Sequence, residues 1–256
     1  PRSTLFPYTT LFRSIVLRRM NYGETSQIIT LFTRKKGKVS VLAKGARSLK
    51  SRFGATLEPL SYIQAVYYHK PTRDLQTLSE TTRLYPLYDL IRNPAKTALA
   101  FQMVELVDAV SETEAINIPL FTLLLEALAT LNDVTYHADN ILFYFELRLA
   151  VLFGVAPHIK KTTVEEVGEE GGWFLLEQGS VLPAHIQIQG VAKRASRAAL
   201  RALATLALAP LETLLRFALD PQTRNEVRQL IDAYLTHHFE GLHRSRTRDV
   251  LAQMDT

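Results

Sequence analysis

Hydrophobic and polar positions alternate in the first third of the chain, a pattern typical of half-buried strands. The alternation is clearest over residues 38–44 and 60–69, and β-prone runs also cover residues 15–18, 27–33 and 75–84. Short turn segments separate these five runs. Together they predict a small closed antiparallel barrel. From the pattern alone, an SH3-like barrel fits almost as well.

The remainder repeats apolar residues at helical spacing. The first predicted helix covers Ala95–Val110, with Pro94 in its first turn, and the second covers Pro119–Asn132. The third is capped by Asn140 and ends at Gly154 and Pro157. Two more helices are predicted over Lys193–Leu208 and Pro221–Leu242. An irregular insert is expected at about residues 157–190. The predicted organisation is therefore a barrel domain at 15–84 followed by an all-α bundle at 85–256.

The first 14 residues need a separate interpretation. Residues Thr4 to Ser14 read TLFPYTTLFRS, which looks like the in-frame translation of a common sequencing adapter. We therefore expect residues 1–14 to be an artefact or leader and the native chain to start near Ile15. A native strand–turn–strand of β-prone residues is the alternative.

Composition excludes several classes of protein. With 256 residues, 47% hydrophobic and 21% charged, the chain is neither disordered nor a membrane bundle. The absence of cysteine excludes disulfides, iron–sulfur clusters, thiolate zinc fingers and a cysteine nucleophile. No apolar run is long enough to span a bilayer and no signal peptide is evident, which predicts a cytoplasmic protein.

Sequence motifs for catalysis are missing as well. The chain has no phosphate-binding loop, no dinucleotide glycine fingerprint, no His-Glu-x-x-His and no Gly-x-Ser-x-Gly. The prediction is a protein that is not an enzyme and carries no cofactor or metal.

Positive charge is concentrated near the front. Residues 15–83 hold 13 Lys and Arg against 4 Asp and Glu, whereas residues 84–256 have an acidic balance. One window holds eight cations and no acid: Arg34, Lys35, Lys36, Lys38, Lys44, Arg47, Lys50 and Arg52. Because these charges are uncompensated locally and fall on adjacent strands and the next loop, we interpret them as one nucleic-acid-binding face. A solvated charged face is the alternative.

Aromatic residues near that window could stack on bases. Phe53, inside Ser-Arg-Phe-Gly, is the best candidate, whereas Tyr62 and Tyr67 are expected in the core. A secondary basic stripe on one predicted helix face comprises Lys193, Arg194, Arg197 and Arg201, with Arg244, Arg246 and Arg248 further on. It is either a solvated helix face or an auxiliary site for duplex DNA or an acidic peptide.

Several short stretches resemble the RecO family of bacterial recombination mediators. They include Ala43-Lys44-Gly45-Ala46-Arg47, Ser51-Arg52-Phe53-Gly54, Leu57-Glu58-Pro59 and Tyr144-Phe145-Glu146-Leu147-Arg148. The resemblance implies an N-terminal OB-fold and a helical C-terminal domain. It also implies binding of single- and double-stranded DNA, annealing of complementary strands, and a bacterial, nucleoid-associated location.

The resemblance further implies protein partners: RecR, the acidic tail of single-strand-binding protein and, indirectly, RecA. Lys96, Arg148 and the secondary stripe are the cations available for the acidic tail, and the sequence does not choose among them.

Many RecO-like proteins carry a four-cysteine zinc module in the region of the insert. The matching positions here fall near Thr162, Glu165, Pro183 and Ile186, and none is cysteine. We expect no structural zinc. The insert should instead be held by packing of Trp173, Phe174, Leu176 and Val181.

Other functions stay open. An RNA-binding OB module, such as a translation or tRNA factor, would use the same cations and rings. A non-catalytic scaffold would need the basic face only for solubility. A hydrolase is the hypothesis with least support in the sequence.

Overall fold

The computed structural model describes residues 9–68, 70, 72–239 and 242. Two compact units divide this part of the chain. The first contains the described residues up to Asn93 together with Val104–Ala129, and the second contains Pro94–Met103 and the described residues from Thr130 onward. The N-terminal unit holds the predicted barrel.

The barrel has the five strands that the alternation predicts. They are β1 Thr9–Tyr22, β2 Ser26–Thr33, β3 Gly37–Ala43, β4 Tyr62–Tyr68 and β5 Leu75–Tyr85. The order around the barrel is β1-β2-β3-β5-β4, and β4 pairs back onto β1. This closure, with β5 between β3 and β4, is that of an OB-fold, so the fold prediction is confirmed.

One pairing differs from the expected all-antiparallel arrangement. β3 and β5 are parallel, with Ser40 opposite Leu75 and Leu42 opposite Thr77. β1 and β3 run in the same direction because each is antiparallel to β2, and β5 shares that direction because β4 is antiparallel to both β1 and β5. The chain between β3 and β4 includes a short 3-10 helix at Gly54–Leu57. The expectation of a purely antiparallel barrel is therefore wrong at this pair.

Alternate strand residues fill the barrel interior. Ile29 and Leu31 on β2 face Val39 and Val41 on β3, and all four are buried. Tyr67 is buried among them and its ring stacks on Phe12 at 4.6 Å. Burial, reinforced by nearby Glu114, raises the pKa of Tyr67 well above its usual value.

The first half of β1 falls within the stretch that resembles an adapter. Thr9 pairs with Tyr68 and Ser14 with Ile63, so this segment completes the barrel. Any β-prone sequence of suitable alternation can fill a strand position. The adapter origin of residues 4–14 stays a prediction, and residues 1–8 lie outside the described part.

Eight helices occur in the described residues. They are α1 Tyr88–Arg92, α2 Pro94–Val110, α3 Ile118–Asp133, α4 Ala138–Leu152, α5 Lys161–Glu165, α6 Arg197–Leu208, α7 Leu211–Leu214 and α8 Pro221–His238. α4 begins at Ala138, so Asn140 lies inside the helix and is not its cap. Its buried amide instead donates to the carbonyls of Leu214 and Phe217.

The insert, which was expected to be irregular, contains short strands that belong to a small sheet. Strands β6 Gly172–Leu175, β7 Ser180–Pro183 and β8 Ala192–Ala195 form a sheet in the order β7-β6-β8. The missed strand is β8, since its pairing with β6 joins residues about 20 positions apart.

Packing in the C-terminal unit follows the predicted residues closely. Phe174, Leu176 and Val181 are buried, whereas Trp173 is half-buried and its indole N–H donates to the carbonyl of Ala184. The Phe174 ring lies 5.5 Å from that of Tyr234. Burial raises the pKa of the Tyr234 hydroxyl, which donates to the carbonyl of Val155, to about 12.

In the described residues, no helix combines the length and apolar character that a membrane crossing needs.

Candidate nucleic-acid interface

β3 separates the predicted cations into two groups. Arg34, Lys35 and Lys36 form the turn before it, which we call the turn cluster, and four cations follow it in what we call the basic loop: Lys44, Arg47, Lys50 and Arg52. At about 3.3 Å per residue, the seven residues of β3 place the groups roughly 20 Å apart. That the two groups share one DNA-binding face stays a prediction, as does DNA binding by each of them.

Lys38 belongs to neither group, because its charge is already matched. Its ammonium lies 3.3 Å from the Asp108 carboxylate and also donates to the Asp108 carbonyl at 2.5 Å. The Lys38 side chain is only 20% exposed. The prediction that Lys38 is a free DNA-binding cation is therefore wrong, because its ammonium connects β3 to α2 through Asp108.

The basic loop presents four exposed cations. None of the four has a carboxylate partner among the described residues. Backbone bonds shape the loop: the Arg47 N–H donates to the Thr25 carbonyl at 2.8 Å, and the Ser51 N–H donates to the Ser48 carbonyl. The loop is thus fixed beside the turn between β1 and β2, with its charges directed to solvent.

Phe53 does not offer a stacking face. Its side chain is 2% exposed and belongs to the barrel core, where it packs with Leu57. The Arg52 guanidinium lies 5.1 Å from the Phe53 ring centroid. The prediction that Phe53 stacks on bases is therefore wrong, because the ring closes the barrel interior.

The turn cluster borders a cleft of about 340 Å³. Arg34 and Lys35 line it together with Arg13 and Gln64, and the Arg34 N–H donates to the Arg13 carbonyl. Arg13, which falls in the stretch expected to be an artefact or leader, adds a third exposed cation.

Two further cations were missed. Lys70 and Arg73, in the loop between β4 and β5, line a cleft of about 250 Å³ with Tyr68. The buried side chain of Gln76 organises this loop, since its oxygen accepts from the Lys70 N–H and its amide donates to the carbonyls of Lys70 and Arg73. Their charge was visible in the sequence, but their place in one cleft with Tyr68 and Thr77 depends on the pairing of β4 with β5.

The secondary stripe does not lie on one helix face. Lys193 and Arg194 are in β8, and α6 begins only at Arg197 with Ser196 as its cap. Arg197 pairs with Glu169, and Arg194 lies over the Trp173 ring. Lys193 and Arg201 are exposed. The single-face prediction is wrong, since the pairing of β8 with β6 makes the helix begin four residues later than predicted.

The other cations considered for an acidic peptide are engaged locally. Lys96 donates to the Asn132 carbonyl at 2.8 Å, and the Arg148 guanidinium lies 5.1 Å from the Tyr144 ring. Arg244, Arg246 and Arg248 lie outside the described residues.

The residues at the zinc-module positions do not fit a metal. Of Thr162, Glu165, Pro183 and Ile186, only Glu165 has a side chain that commonly ligates zinc. In the described part of the chain, no three His, Asp or Glu side chains are grouped closely enough to hold an ion.

Comparison with known proteins agrees with this architecture. Residues 9–86 match the family model described as Recombination protein O N terminal, and residues 91–247 match Recombination protein O C terminal. The chain is similar to the DNA repair protein RecO of Salinibacter ruber, at 44% identity over 95% of this chain and 93% of the relative. It is also 34% identical to the DNA repair protein RecO of an Exiguobacterium species, over 94% of this chain and 94% of the relative. The identity to the DNA repair protein RecO of Bacillus pumilus is 31%, over 94% of this chain and 93% of the relative.

The barrel, the helical region and these matches define a DNA repair mediator that is not an enzyme. The chain belongs to the RecO family.

Proposed function

We propose that this protein binds single- and double-stranded DNA through its barrel, anneals complementary strands and, together with RecR, helps load RecA onto DNA coated by single-strand-binding protein. It would do so at the nucleoid in the bacterial cytoplasm. The observation that carries the DNA-binding part is the basic loop, whose four exposed cations have no carboxylate partner among the described residues.

The mechanism is electrostatic. Two complementary strands repel each other, and a cationic surface reduces that repulsion by releasing their condensed counterions. Backbone contacts carry no base information, so sequence preference should be weak. If all four basic-loop cations contact phosphates of a single strand, log affinity should fall against log salt with a slope of about −2.8 from this loop alone.

Strand annealing is the test of the whole proposal. Wild-type protein should accelerate annealing of complementary oligonucleotides, both bare and coated with single-strand-binding protein. A Lys44→Glu/Arg47→Glu variant should lose most of this acceleration, whereas a Lys160→Glu/Lys161→Glu variant, which makes the same charge change at exposed positions in the C-terminal unit, should retain it. Annealing by the basic-loop variant at the wild-type rate would contradict the proposal.

The contacts with RecR and with the acidic tail of single-strand-binding protein rest on family membership. Acceleration on coated strands that depends on the tail, and that increases when RecR is added, is the expected outcome. Tighter binding of RNA than of DNA of the same length would favour the RNA-binding alternative.

A further inference from the structure

Ser48 lies at the exposed tip of the basic loop. It is the only exposed serine among the residues that the structure describes, and Leu49, which follows it, is exposed completely. The Ser48 hydroxyl donates to the Gly45 carbonyl at 2.8 Å. Ser51, in the same loop, is half-buried, and its hydroxyl accepts from the Phe53 N–H. Ser48 is therefore the serine of this loop that an enzyme can reach.

Two consecutive turns bring the basic-loop cations close to Ser48. The Ser48 N–H donates to the Gly45 carbonyl at 3.1 Å, and the Ser51 N–H donates to the Ser48 carbonyl at 3.0 Å. Turns of this kind hold their first and fourth Cα atoms within about 7 Å of each other. The cations beside or between these turn residues are Lys44, Arg47, Lys50 and Arg52. A phosphate on Ser48 would thus be attached within reach of four cations that have no carboxylate partner in the described part of the chain.

We propose that Ser48 is a phosphorylation site and that its phosphate switches off DNA binding by the basic loop. This inference rests on the proposed function and assigns a regulation to the same site. A phosphoserine carries nearly two negative charges and three strong acceptor oxygens, which nearby cations bind. It occupies the cations as a backbone phosphate of DNA would. Because it is attached to the loop, it does so intramolecularly, and DNA must displace it.

The partner that this site requires is a serine/threonine kinase that accepts cations around its substrate serine. The Ser48 Oγ attacks the γ-phosphorus of a nucleoside triphosphate, the bond from that phosphorus to the β–γ bridging oxygen breaks, and the diphosphate leaves with the bonding electrons. The hydroxyl proton passes to a base of the kinase. Hydrolysis by a phosphatase releases inorganic phosphate and restores the hydroxyl, so the change is reversible.

The effect on binding is tested with phosphoserine installed at position 48 of the full chain during translation. A single-stranded oligonucleotide is titrated by fluorescence anisotropy at several salt concentrations. Two added negative charges cancel two of the four cations, so the salt slope should become shallower by about 1.4 and the affinity at about 0.1 M salt should fall at least tenfold. Phosphatase treatment should restore the wild-type values. An unchanged slope with phosphate on Ser48 overturns the inference.

Matched variants separate the added charge from the loss of a hydrogen bond. Ser48→Ala removes the bond to Gly45 without adding charge and should bind DNA as wild type does. Weak binding by Ser48→Ala, equal to that of the phosphorylated protein, would overturn the inference. Ser48→Asp adds one negative charge, so its slope should become shallower by about 0.7.

A second phosphoserine, installed in place of Thr162, is the control for position. Thr162 is exposed and directly follows Lys160 and Lys161 in the C-terminal unit, so this change adds the same charge beside two cations outside the barrel. The salt slope should stay at the wild-type value, and a slope as shallow as that of the protein phosphorylated on Ser48 would overturn the inference. Circular dichroism melting at the wild-type temperature establishes that each protein is folded.

Occurrence of the modification is tested separately, by phosphopeptide mapping of the chain purified from its native host with and without DNA damage. Phosphate on Ser48 in either condition supports the inference, and its absence in both overturns it. Failure of the proposed function gives a different result, because unmodified wild-type protein would then bind no DNA even at low salt. Normal binding by the unmodified protein, together with unchanged binding by the phosphorylated form, overturns the inference only.

Discussion

The ammonium of Lys38 caps the C-terminal end of α2 by donating to the carbonyl of Asp108, two residues before the helix ends, while pairing with the carboxylate of the same residue. The last carbonyls of a helix lack intrahelical partners and carry partial negative charge, so a cation there is favourable. Lys38 and Lys44 lie at opposite ends of β3, so the same substitution at each can be compared directly.

Lys38→Gln should therefore reduce stability and leave DNA binding unchanged. We expect a loss of about 1 kcal/mol in the free energy of unfolding, measured in urea. The salt slope for single-stranded DNA should stay at the wild-type value. Lys44→Gln should do the reverse, leaving stability unchanged and reducing the slope by about 0.7. A smaller salt slope for the Lys38→Gln variant would mean that, in the wild-type protein, the Lys38 ammonium leaves Asp108 and binds phosphate.

The turn cluster and the basic loop should contribute independently to the salt dependence. Arg34→Gln/Lys35→Gln and Lys44→Gln/Arg47→Gln should each reduce the slope by about 1.4, and the quadruple variant by about 2.8. Sites roughly 20 Å apart are normally additive. An Arg34→Gln/Lys35→Gln slope equal to wild type would restrict the interface to the basic loop.

Gly37 is required where β3 approaches the connection between α2 and α3. A Cβ at Gly37 would lie 2.0 Å from the Ala115 carbonyl oxygen, and φ is +64°. Gly23 has a similar φ of +60°, but nothing lies within 4 Å of its Cβ position. Gly23→Ala should cost about 1 kcal/mol from backbone strain alone, and Gly37→Ala at least about 2 kcal/mol more. If Gly23→Ala and Gly37→Ala lose the same free energy of unfolding in urea, the connection between α2 and α3 moves freely to accommodate the added Cβ.

The local part of this structure was predictable from sequence. Alternation and β-prone runs together revealed all five strands, because each pattern lies within one strand, and Pro94 marked the start of α2. What failed depends on contacts between distant residues: the parallel pairing of β3 with β5, the pairing of Lys38 with Asp108, and the sheet that takes Lys193 and Arg194 out of the predicted helix.

The candidate site shows the same division. The number of cations in the sequence indicated the basic loop, but it did not indicate that β3 separates this loop from the turn cluster. Phe53 stands between Arg52 and Gly54 in a predicted loop, so nothing local indicated that its ring fills the barrel interior.

Asn140 should be essential for the C-terminal unit. Its side chain is 2% exposed and its amide donates at 2.9 and 2.7 Å to two carbonyls, those of Leu214 and Phe217. Asn140→Ala leaves both acceptors unpaired and should cost about 2 to 4 kcal/mol in the free energy of unfolding. Asn225→Ala, at an exposed position in α8, should change stability by less than about 0.5 kcal/mol. A small effect at Asn140 would mean that water replaces the amide.

The start of α8 should make stability depend on acid pH. Asp220 caps this helix, and hydrogen bonds from Thr223 hold the pKa of the Asp220 carboxyl below its usual value. A carboxyl with a lowered folded-state pKa stabilises the protein fully above its unfolded pKa of about 3.9 and loses that contribution as pH falls through the folded value. Asp220→Ala should therefore be less stable than wild type at pH 7, and the gap should narrow at pH 2. Asp220→Asn retains an oxygen acceptor, so it should stay near wild type at pH 7 and show a flatter acid limb in urea titrations. If Asp220→Ala stays equally far below wild type at both pH values, the cap does not depend on the ionised carboxylate.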